Sequence, residues 1–406
     1  MDVEIRTIEE REFEAYLEAV ELAFSDTLKP EELERERTLI EYDRAFAAFD
    51  GAEIVGTTAA FTMPITVPGG EVSVPYVTCV GVKATHRRRG INSALMRSQL
   101  DDVHERGEPI AVLTASEGGI YGRFGYGLAA YGLSMDVPVG RSAFVRGYQP
   151  TGSMRFVSRE NAIPSILDVH EAVRLDRPGM PALNETRLVY GLHDHEDDPD
   201  KGASTLFALH DGQDGVDGFV IYRVKHEWSA SVPESSLNVR DLQASNPAAY
   251  ADLWRFVLDV DLVARVTAWG RPVDDPLVHL VAEPRRLRAT MTDELWVRVV
   301  DVAHALRRRR YAAEGRVVLE VHDRFCPRND ATYALEGGPD GATCEPTDAT
   351  PDLVCSANDV GAAYLGGSSF RQLQRAGLVE ERTAGALARA DGMFTWDPAP
   401  WSPYVF

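Results

Sequence analysis

The sequence predicts a mixed α/β fold built twice in tandem and followed by an α+β region. Three observations carry that reading. The chain has 406 residues, too many for one ordinary core, so two or three domains are expected. A meander of β-rich runs leads into a strand, a turn, a helix and a buried strand, the pattern of one parallel crossover. A similar order recurs after a break at residues 145–154, "VRGYQPTGSM", which reads as a linker.

The elements follow in order. Thr7 and Glu10 have capping-box spacing, and Phe13, Leu17, Val20 and Phe24 continue as a helical stripe. "SDTLKPEELERE" breaks that helix and starts a second, highly charged one near Pro30. In "RAFAAFDGAEIVGTTAAFTMPITVPGGEVSVPYVTCVGV", Asp50-Gly51 and Gly69-Gly70 mark hairpin turns between β-rich runs. "RRRGINSALMRSQLDDVHERG" reads as a helix ending at Gly107, and "PIAVLTA" as a buried strand. "SEGGIYGRFGYG" is a Gly-rich turn with one short helix at most.

In the second copy, "MRFV" is a strand and "RENAIPSILDVHEAV" a helix. "STLFALHDGQDGVDGFVIYRV" gives strand, turn and strand. "SSLNVRDLQAS", "NPAAYADLWRFVLDVD" and "ARVTAWG" give strand, helix and strand. The copy differs at one place: "QASNPAA" stands where the first has "RRRGINS". Beyond residue 284, "DELWVRVVDVAHALRRRR" reads as strand then helix. "RVVLEVHD" and "ATYALE" read as strands, and "ANDVGAAYLGG" and "TAGALARADGMF" as helices.

Composition narrows the function. Hydrophobic content of 44% and charged content of 26% fit a soluble globular protein. No apolar stretch is long enough to span a membrane, and the acidic N-terminus is unlike a signal peptide, so a cytoplasmic protein with no membrane partner is expected. Cys79, Cys326, Cys344 and Cys355 form no CxxC and read as buried free thiols. A net charge of −21 argues against nucleic-acid binding, which needs a basic face. The same charge would concentrate a cationic substrate, or it simply keeps the protein soluble.

"HRRRGINSAL", residues 86–95, follows the apolar run "VPYVTCVGV". A strand handing over to a helix N-terminus presents unpaired amides, and the helix dipole adds roughly half a positive charge there. Gly90 lets the backbone approach a ligand, and the arginines add forked donors. A pyrophosphate would use the whole turn. The alternative is a solvated helix start.

"VTCVGVKATHRRRGINSALM" resembles motif A of the GCN5-related N-acetyltransferases (GNAT): strand, Arg/Gln-x-x-Gly-x-Gly/Ala, helix. Arg87-Arg88-Arg89-Gly90 fits its first four positions, and Asn92 stands where a second small residue is usual. "GGIYGRFGYG" is similar to the same family's late tyrosine segment. "THRRRG" followed by "ASEGGIYGRFGYG", a copy without the motif and a C-terminal α+β region looks like the Eis (enhanced intracellular survival) acetyltransferase family. The likeness is most specific over residues 76–128.

That resemblance implies tandem GNAT-fold domains, the N-terminal one active at residues 1–147 and the central one degenerate at 148–283. A sterol-carrier-protein-like α+β domain would follow at 284–406. It implies a homo-hexamer built from two trimers, with acetyl-CoA as co-substrate and no metal. The backbone of Val80, Gly81 and Val82 would hold the pantetheine arm and thioester. The turn from Arg88 through Arg89, Gly90, Ile91, Asn92 and Ser93 would hold the pyrophosphate. Ser116 and Glu117 would line the same cleft. Tyr121 would be the general acid for the leaving thiolate, a phenol of pKa about 10 being matched to an alkyl thiol. Its bland alternative is an amphipathic core tyrosine.

The chain ends on "WSPYVF", an apolar tail where ends are usually polar. Such a tail is expected to dock, either as a hydrophobic plug or to bring a carboxylate to a site. In the Eis family the terminal carboxylate, on a terminal Phe, is the general base, so the resemblance assigns that role to Phe406. Phe24 and Asp26 fall where members line the amine pocket. Val405 replaces an acid and Cys79 a larger residue, leaving a less acidic pocket of different shape. Acetylation of polycationic small molecules such as aminoglycosides is the family expectation. The alternatives are a protein-lysine acceptor, or a non-catalytic acetyl-CoA-binding or lipid-carrying protein.

Other runs are read as structural. "HDHEDDPD" (193–200) is a solvated loop, "RRRR" (307–310) ends a helix where cations complement the dipole, and His104 is a surface residue.

Overall fold

The computed structural model describes residues 3–145, 147–193 and 203–406. The chain runs through β1 (Glu4–Thr7), α1 (Phe13–Phe24), α2 (Pro30–Arg37), β2 (Ala45–Asp50), β3 (Glu53–Val67) and β4 (Gly70–Val82). Then come α3 (Ile91–Glu105), β5 (Ile110–Leu113), a single 3-10 turn (Tyr121–Phe124) and β6 (Tyr126–Pro138). The middle holds β7 (Ser153–Val157), α4 (Arg159–Arg174), α5 (Glu185–Gly191), β8 (Thr205–Gly212) and β9 (Gly215–Lys225). A small ribbon of β10 (Trp228–Ser229) and β11 (Val232–Pro233) precedes β12 (Ser235–Ala244), α6 (Pro247–Leu258), β13 (Val263–Pro272) and α7 (Leu277–Leu280). The last third has β14 (Thr290–Val299), α8 (Val302–Arg307), β15 (Gly315–His322), β16 (Ala331–Gly338), β17 (Gly341–Pro346) and β18 (Leu353–Ser356). It ends with α9 (Ala357–Tyr364), α10 (Phe370–Arg375), β19 (Glu380–Glu381) and α11 (Ala386–Phe394).

These elements form two units. One comprises Met1–Ala130, Asp293–Pro400 and Val405–Phe406; the other comprises Tyr131–Thr292 and Trp401–Tyr404. In the first, strands run in the order β1-β2-β3-β4-β5-β14. All neighbours are antiparallel except β4 and β5, which α3 joins as the expected parallel crossover. Both faces of this sheet are covered. Ala47, Ile54 and Ala59 pack with Phe13, Leu17 and Val20 of α1. Their neighbours Ala48 and Val55 pack with Ile91 and Leu95 of α3, and Ala60 with Met96 and Leu100. Alternate side chains of a strand point to opposite faces, so these strands read as continuous apolar runs. A second sheet, β17-β16-β15-β18-β19, shares a core with the C-terminal helices through Leu319, Val321, Val360 and Tyr364.

The other unit repeats the plan. Its strands run β6-β13-β12-β9-β8-β7, and α6 joins the parallel pair β12 and β13. Trp254 of α6 is fully buried among Val220, Leu237, Val239 and Leu277. The linker stretch is tied down: the Tyr148 hydroxyl donates to Asp252 of α6 at 2.5 Å, and Thr151 donates to it through N and Oγ1 at 2.9 Å.

Several local expectations need correcting. The capping box at the start lies at Glu9 and Glu12, not Thr7 and Glu10, and Thr7 belongs to β1, a strand the periodicity did not reveal. The "RRRR" run does more than end α8. Arg309 is fully buried and donates to the carbonyls of Ala363 (3.3 Å), Tyr364 and Phe394 (2.8 Å), bridging two helix ends. Of the cysteines, none forms a disulfide, and Cys79 is only half-buried. Residues 194–200 of the acidic stretch lie outside the described residues. No helix among the described residues is long and apolar enough to cross a membrane.

Candidate active site

The site is built at the carboxyl end of the one parallel pair in the first unit. Tyr76 of β4 is opposite Val112 of β5, and this is the single register pair between them. Two residues further along, β4 bulges. Gly81 faces Thr57 and Thr78 faces Ala59, so three steps on β4 match two on β3. Cys79 takes up the extra length in the left-handed region, at φ 53°, and its carbonyl accepts from the Thr57 hydroxyl at 2.8 Å. A bulge re-aims the strand it interrupts. Beyond it, Val80, Gly81 and Val82 are half-buried and have no ladder partner on the β5 side. Their backbone groups are the edge that an extended, amide-bearing ligand arm would pair with.

Gly81 is glycine for a packing reason. A Cβ there would lie 2.6 Å from Cβ of Ala23 and 3.9 Å from the Phe24 ring. The end of α1 therefore rests directly on β4. Arg87 secures that contact, donating from Nη2 to the Ala23 carbonyl at 3.0 Å and from Nε to the Val82 carbonyl at 3.3 Å. The first arginine of the cluster is thus a clamp. Phe24 and Asp26 are exposed just past this point, and the Asp26 carboxylate accepts from the Thr27 amide at 2.7 Å.

The turn into α3 has the anatomy of an anion cradle. Arg88 (φ 63°) and Gly90 (φ 81°) are both left-handed, and no side chain caps the helix behind Gly90. A Cβ at Gly90 would meet nothing within 4 Å, so the glycine serves conformation and the space beside it is open. The first helical bond runs from the Ala94 amide to the Gly90 carbonyl at 3.1 Å, so Ile91, Asn92 and Ser93 are the first-turn amides that a helix leaves over. Ile91 is buried against Leu95, Asn92 is half-buried, and Ser93 is exposed. The Asn92 Oδ1 is a buried acceptor with no hydrogen-bond partner. Arg89 donates to the Thr85 carbonyl at 3.1 Å, whereas Arg88 is exposed and makes no ion pair or hydrogen bond among the described residues. This donor set, with one uncommitted cation, fits a pyrophosphate.

Past the end of β5, Ser116 and Glu117 are exposed on the loop and Tyr121 is buried at the start of the 3-10 turn. Tyr121 packs edge-on against Phe124 (6.5 Å between ring centres) and Tyr126 (5.9 Å). Burial pushes its phenol above the ordinary tyrosine value; Arg123 offsets part of this and Glu117 adds to it. The group is therefore held protonated at neutral pH. Beneath the turn lies Arg298, fully buried and paired with Asp323 at 2.5 Å.

The C-terminus reaches the same strand end. The Phe406 ring packs edge-on against Tyr76 (4.6 Å) and Phe61 (5.9 Å), and Thr114 Oγ1 donates to the Phe406 main-chain oxygen at 3.3 Å. Thr114 was not singled out from the sequence. Its signal was its place, the first residue past the buried strand β5, where α/β sheets bind ligands. Cys79 gave no such signal, because nothing marks a cysteine for a left-handed bulge. Among the described residues, no hydrogen bond joins Asp26 to the other candidates, and no group of three His, Cys, Asp or Glu is placed to hold a metal ion.

A splayed parallel pair, a strand bulge and an uncapped helix N-terminus together define a GNAT acyltransferase fold, and family models agree. Residues 4–129 and 185–299 each match an acetyltransferase (GNAT) domain, and residues 302–403 match a sterol carrier protein domain. A protein known as an uncharacterised N-acetyltransferase of Streptomyces avermitilis is 43% identical, both chains being covered in full. N-acetyltransferase Eis of Mycobacterium tuberculosis is 32% identical over 95% of this chain and 94% of its own. The crystal structure of Eis1 from Mycobacterium abscessus superposes with a TM-score of 0.85 at 32% identity, covering 99% of this chain and 100% of that one. The chain belongs to the Eis family of N-acetyltransferases, with tandem GNAT domains and a C-terminal sterol-carrier-type domain.

Proposed function

We propose that the chain transfers the acetyl group of acetyl-CoA to amines of polycationic small molecules such as aminoglycosides. Tyr121 is the general acid and the Phe406 carboxylate the general base. The observation that carries this reading is the terminal Phe406 main chain resting on Thr114 at the end of β5, in the unit that holds Tyr121.

Val80, Gly81 and Val82 hold the pantetheine arm along the open edge of β4, and Arg88 through Ser93 hold the pyrophosphate. Ser116 and Glu117 line the cleft. Bound acetyl-CoA supplies an activated acyl carbon. The chain's own task is to place an amine beside it, which converts a bimolecular step into a positioned one. The Phe406 carboxylate takes the ammonium proton, and the Tyr121 hydroxyl gives its proton to the departing sulfur. Phe24 and Asp26 border the amine's approach, Asp26 as a counter-charge for an ammonium. Three domains meeting at residues 147 and 283, a homo-hexamer and a cytoplasmic location go with the family reading.

The test is thiol release from acetyl-CoA with a panel of amines, including aminoglycosides and a lysine-rich peptide. Tyr121→Phe and a chain lacking Phe406 run in parallel. Release that needs an amine, Tyr121 and the intact tail is the expected result, with the aminoglycosides ahead of the peptide. Acetyl-CoA binding without release for any amine would point to a sensor. Light scattering of the purified chain checks the hexamer.

A further inference from the structure

Residues 118–127 contain five glycines, Gly118, Gly119, Gly122, Gly125 and Gly127. Such a segment has unusual backbone freedom, and a catalytic side chain carried on it needs ties from outside. The Tyr121–Phe124 turn is a single 3-10 turn, held within itself by the Gly125 amide donating to the Gly122 carbonyl at 3.2 Å.

The ties come from α9, in the region that matches the sterol carrier protein family. Asn358 Nδ2 donates to the Gly122 carbonyl at 2.7 Å and to the Tyr126 carbonyl at 2.9 Å. One amide group thus brackets the turn, with a hydrogen bond to the backbone on either side of Phe124. The anchor itself is rigid. Ser356 and Asp359 form a capping box at the start of α9, with Asp359 accepting from the Ser356 amide at 2.8 Å and hydroxyl at 2.6 Å. Gly127 and Gly361 let β6 and α9 touch backbone to backbone: a Cβ at Gly127 would collide with the Asn358 carbonyl. From below, the Arg298 guanidinium lies where a Cβ on Gly125 would stand. The glycines that make the turn soft are also those that let its supports approach.

We propose that Asn358 is a positioning residue for acetyl transfer, holding the Tyr121 turn in its productive place through the carbonyls of Gly122 and Tyr126. The proposal rests on the reading of Tyr121 as general acid. It gives the C-terminal domain a direct part in the chemistry of the N-terminal one. Only a side chain with two N–H donors at this length makes both bonds. Aspartate has the same shape but, ionised, only accepts, and would face two carbonyl oxygens. It also suits the first turn of a helix, and Asn358 borders a cavity of about 850 Å³, so Asn358→Asp is expected to fold.

The experiment is a double-mutant cycle with Asn358→Asp and Tyr121→Phe, measuring kcat and the KM for acetyl-CoA, with thermal melts to verify folding. Asn358→Asp is expected to lower kcat between about 10- and 100-fold, the size of a small misplacement of a catalytic group, with KM within about twofold. In the Tyr121→Phe background it should change nothing further, because the group it positions is already gone. Asn358→Ala should behave like Asn358→Asp, with its kcat loss also absent in that background. A loss of equal size with and without the Tyr121 hydroxyl would make Asn358 merely structural and overturn the proposal. So would a kcat within twofold of the parent for Asn358→Asp. A Tyr121→Phe enzyme of undiminished kcat would instead remove the general-acid reading, and the proposal with it.

Discussion

The two GNAT domains share a plan and differ at the carboxyl end of their parallel strand pair. In the first, β4 and β5 share one register pair and then part. In the second, β12 and β13 are zipped over five pairs, from Ser235 opposite Val263 to Val239 opposite Ala268. Ahead of α3 stands Gly90 with open space and no cap. Ahead of α6 stands Asn246, whose Oδ1 accepts from the amides of Ala248 (3.1 Å) and Ala249 (2.9 Å), and Pro247 brings no N–H at all. The second helix has satisfied its own first donors; the first has no such cap.

The second wedge is also filled. Arg271, buried and paired with Asp275 at 3.0 Å, donates to the Leu242 carbonyl at 2.8 Å. The Trp401 indole donates to the Gly270 carbonyl at 2.5 Å, and the Tyr404 hydroxyl to Asp241 at 3.0 Å.

The contrast can be broken in four ways, in falling order of effect. Replacing Tyr121 by Phe removes the proposed proton donor of the first domain and should lower kcat by about 10²- to 10⁴-fold, with acetyl-CoA affinity unchanged by calorimetry. Arg271→Ala in the second domain leaves Asp275 buried without its cation, with only the Tyr250 hydroxyl and the Leu277 amide to donate to it. It should destabilise that unit by about 3–5 kcal/mol in denaturant titrations, the usual penalty for half of a buried pair. Gly90→Asp puts a carboxylate ahead of α3, where its counterpart α6 has the neutral cap Asn246. It should weaken acetyl-CoA binding about tenfold or more, by placing like charge at the cradle. Full affinity in that variant would mean the turn does not hold phosphates.

The smallest effect concerns pH. His210 is buried between Asp217 (2.5 Å) and Asp252 (2.9 Å) in the second domain. Burial works against its charged form, but the two carboxylates outweigh it and hold its pKa above the ordinary histidine value. A group raised in the folded state stabilises fully below its unfolded pKa of about 6.5, and that contribution fades as pH rises through the folded value. Melting temperatures of the parent and of His210→Gln should therefore differ most below about pH 6.5 and converge as pH rises through the folded-state value. A gap that widens with pH would show the ring to be neutral in the fold.

Much of this was legible in the chain. "RRRGINS" and "QASNPAA" already differ in local chemistry that needs no tertiary context: an Asn-Pro pair caps and blocks its own helix, and a glycine after arginines does neither. The hairpin turns, the two crossover helices and the short turn around Tyr121 follow from periodicity and glycine content for the same local reason. Contacts between residues far apart in sequence were not legible. Arg87 and Arg88 are identical neighbours in a string, yet one clamps α1 to β4 and the other is free in solvent. Arg309 looks like a helix-end charge until three distant carbonyls surround it. Cys79 bulges because β4 must bend, and Thr114 and Asn358 matter because a chain end 292 residues later and a turn 236 residues earlier come to them. Sequence determines what each segment offers locally, in donors, conformational freedom and apolar faces. Only the tertiary structure decides which of those offers are taken up within the protein and which are left for a substrate.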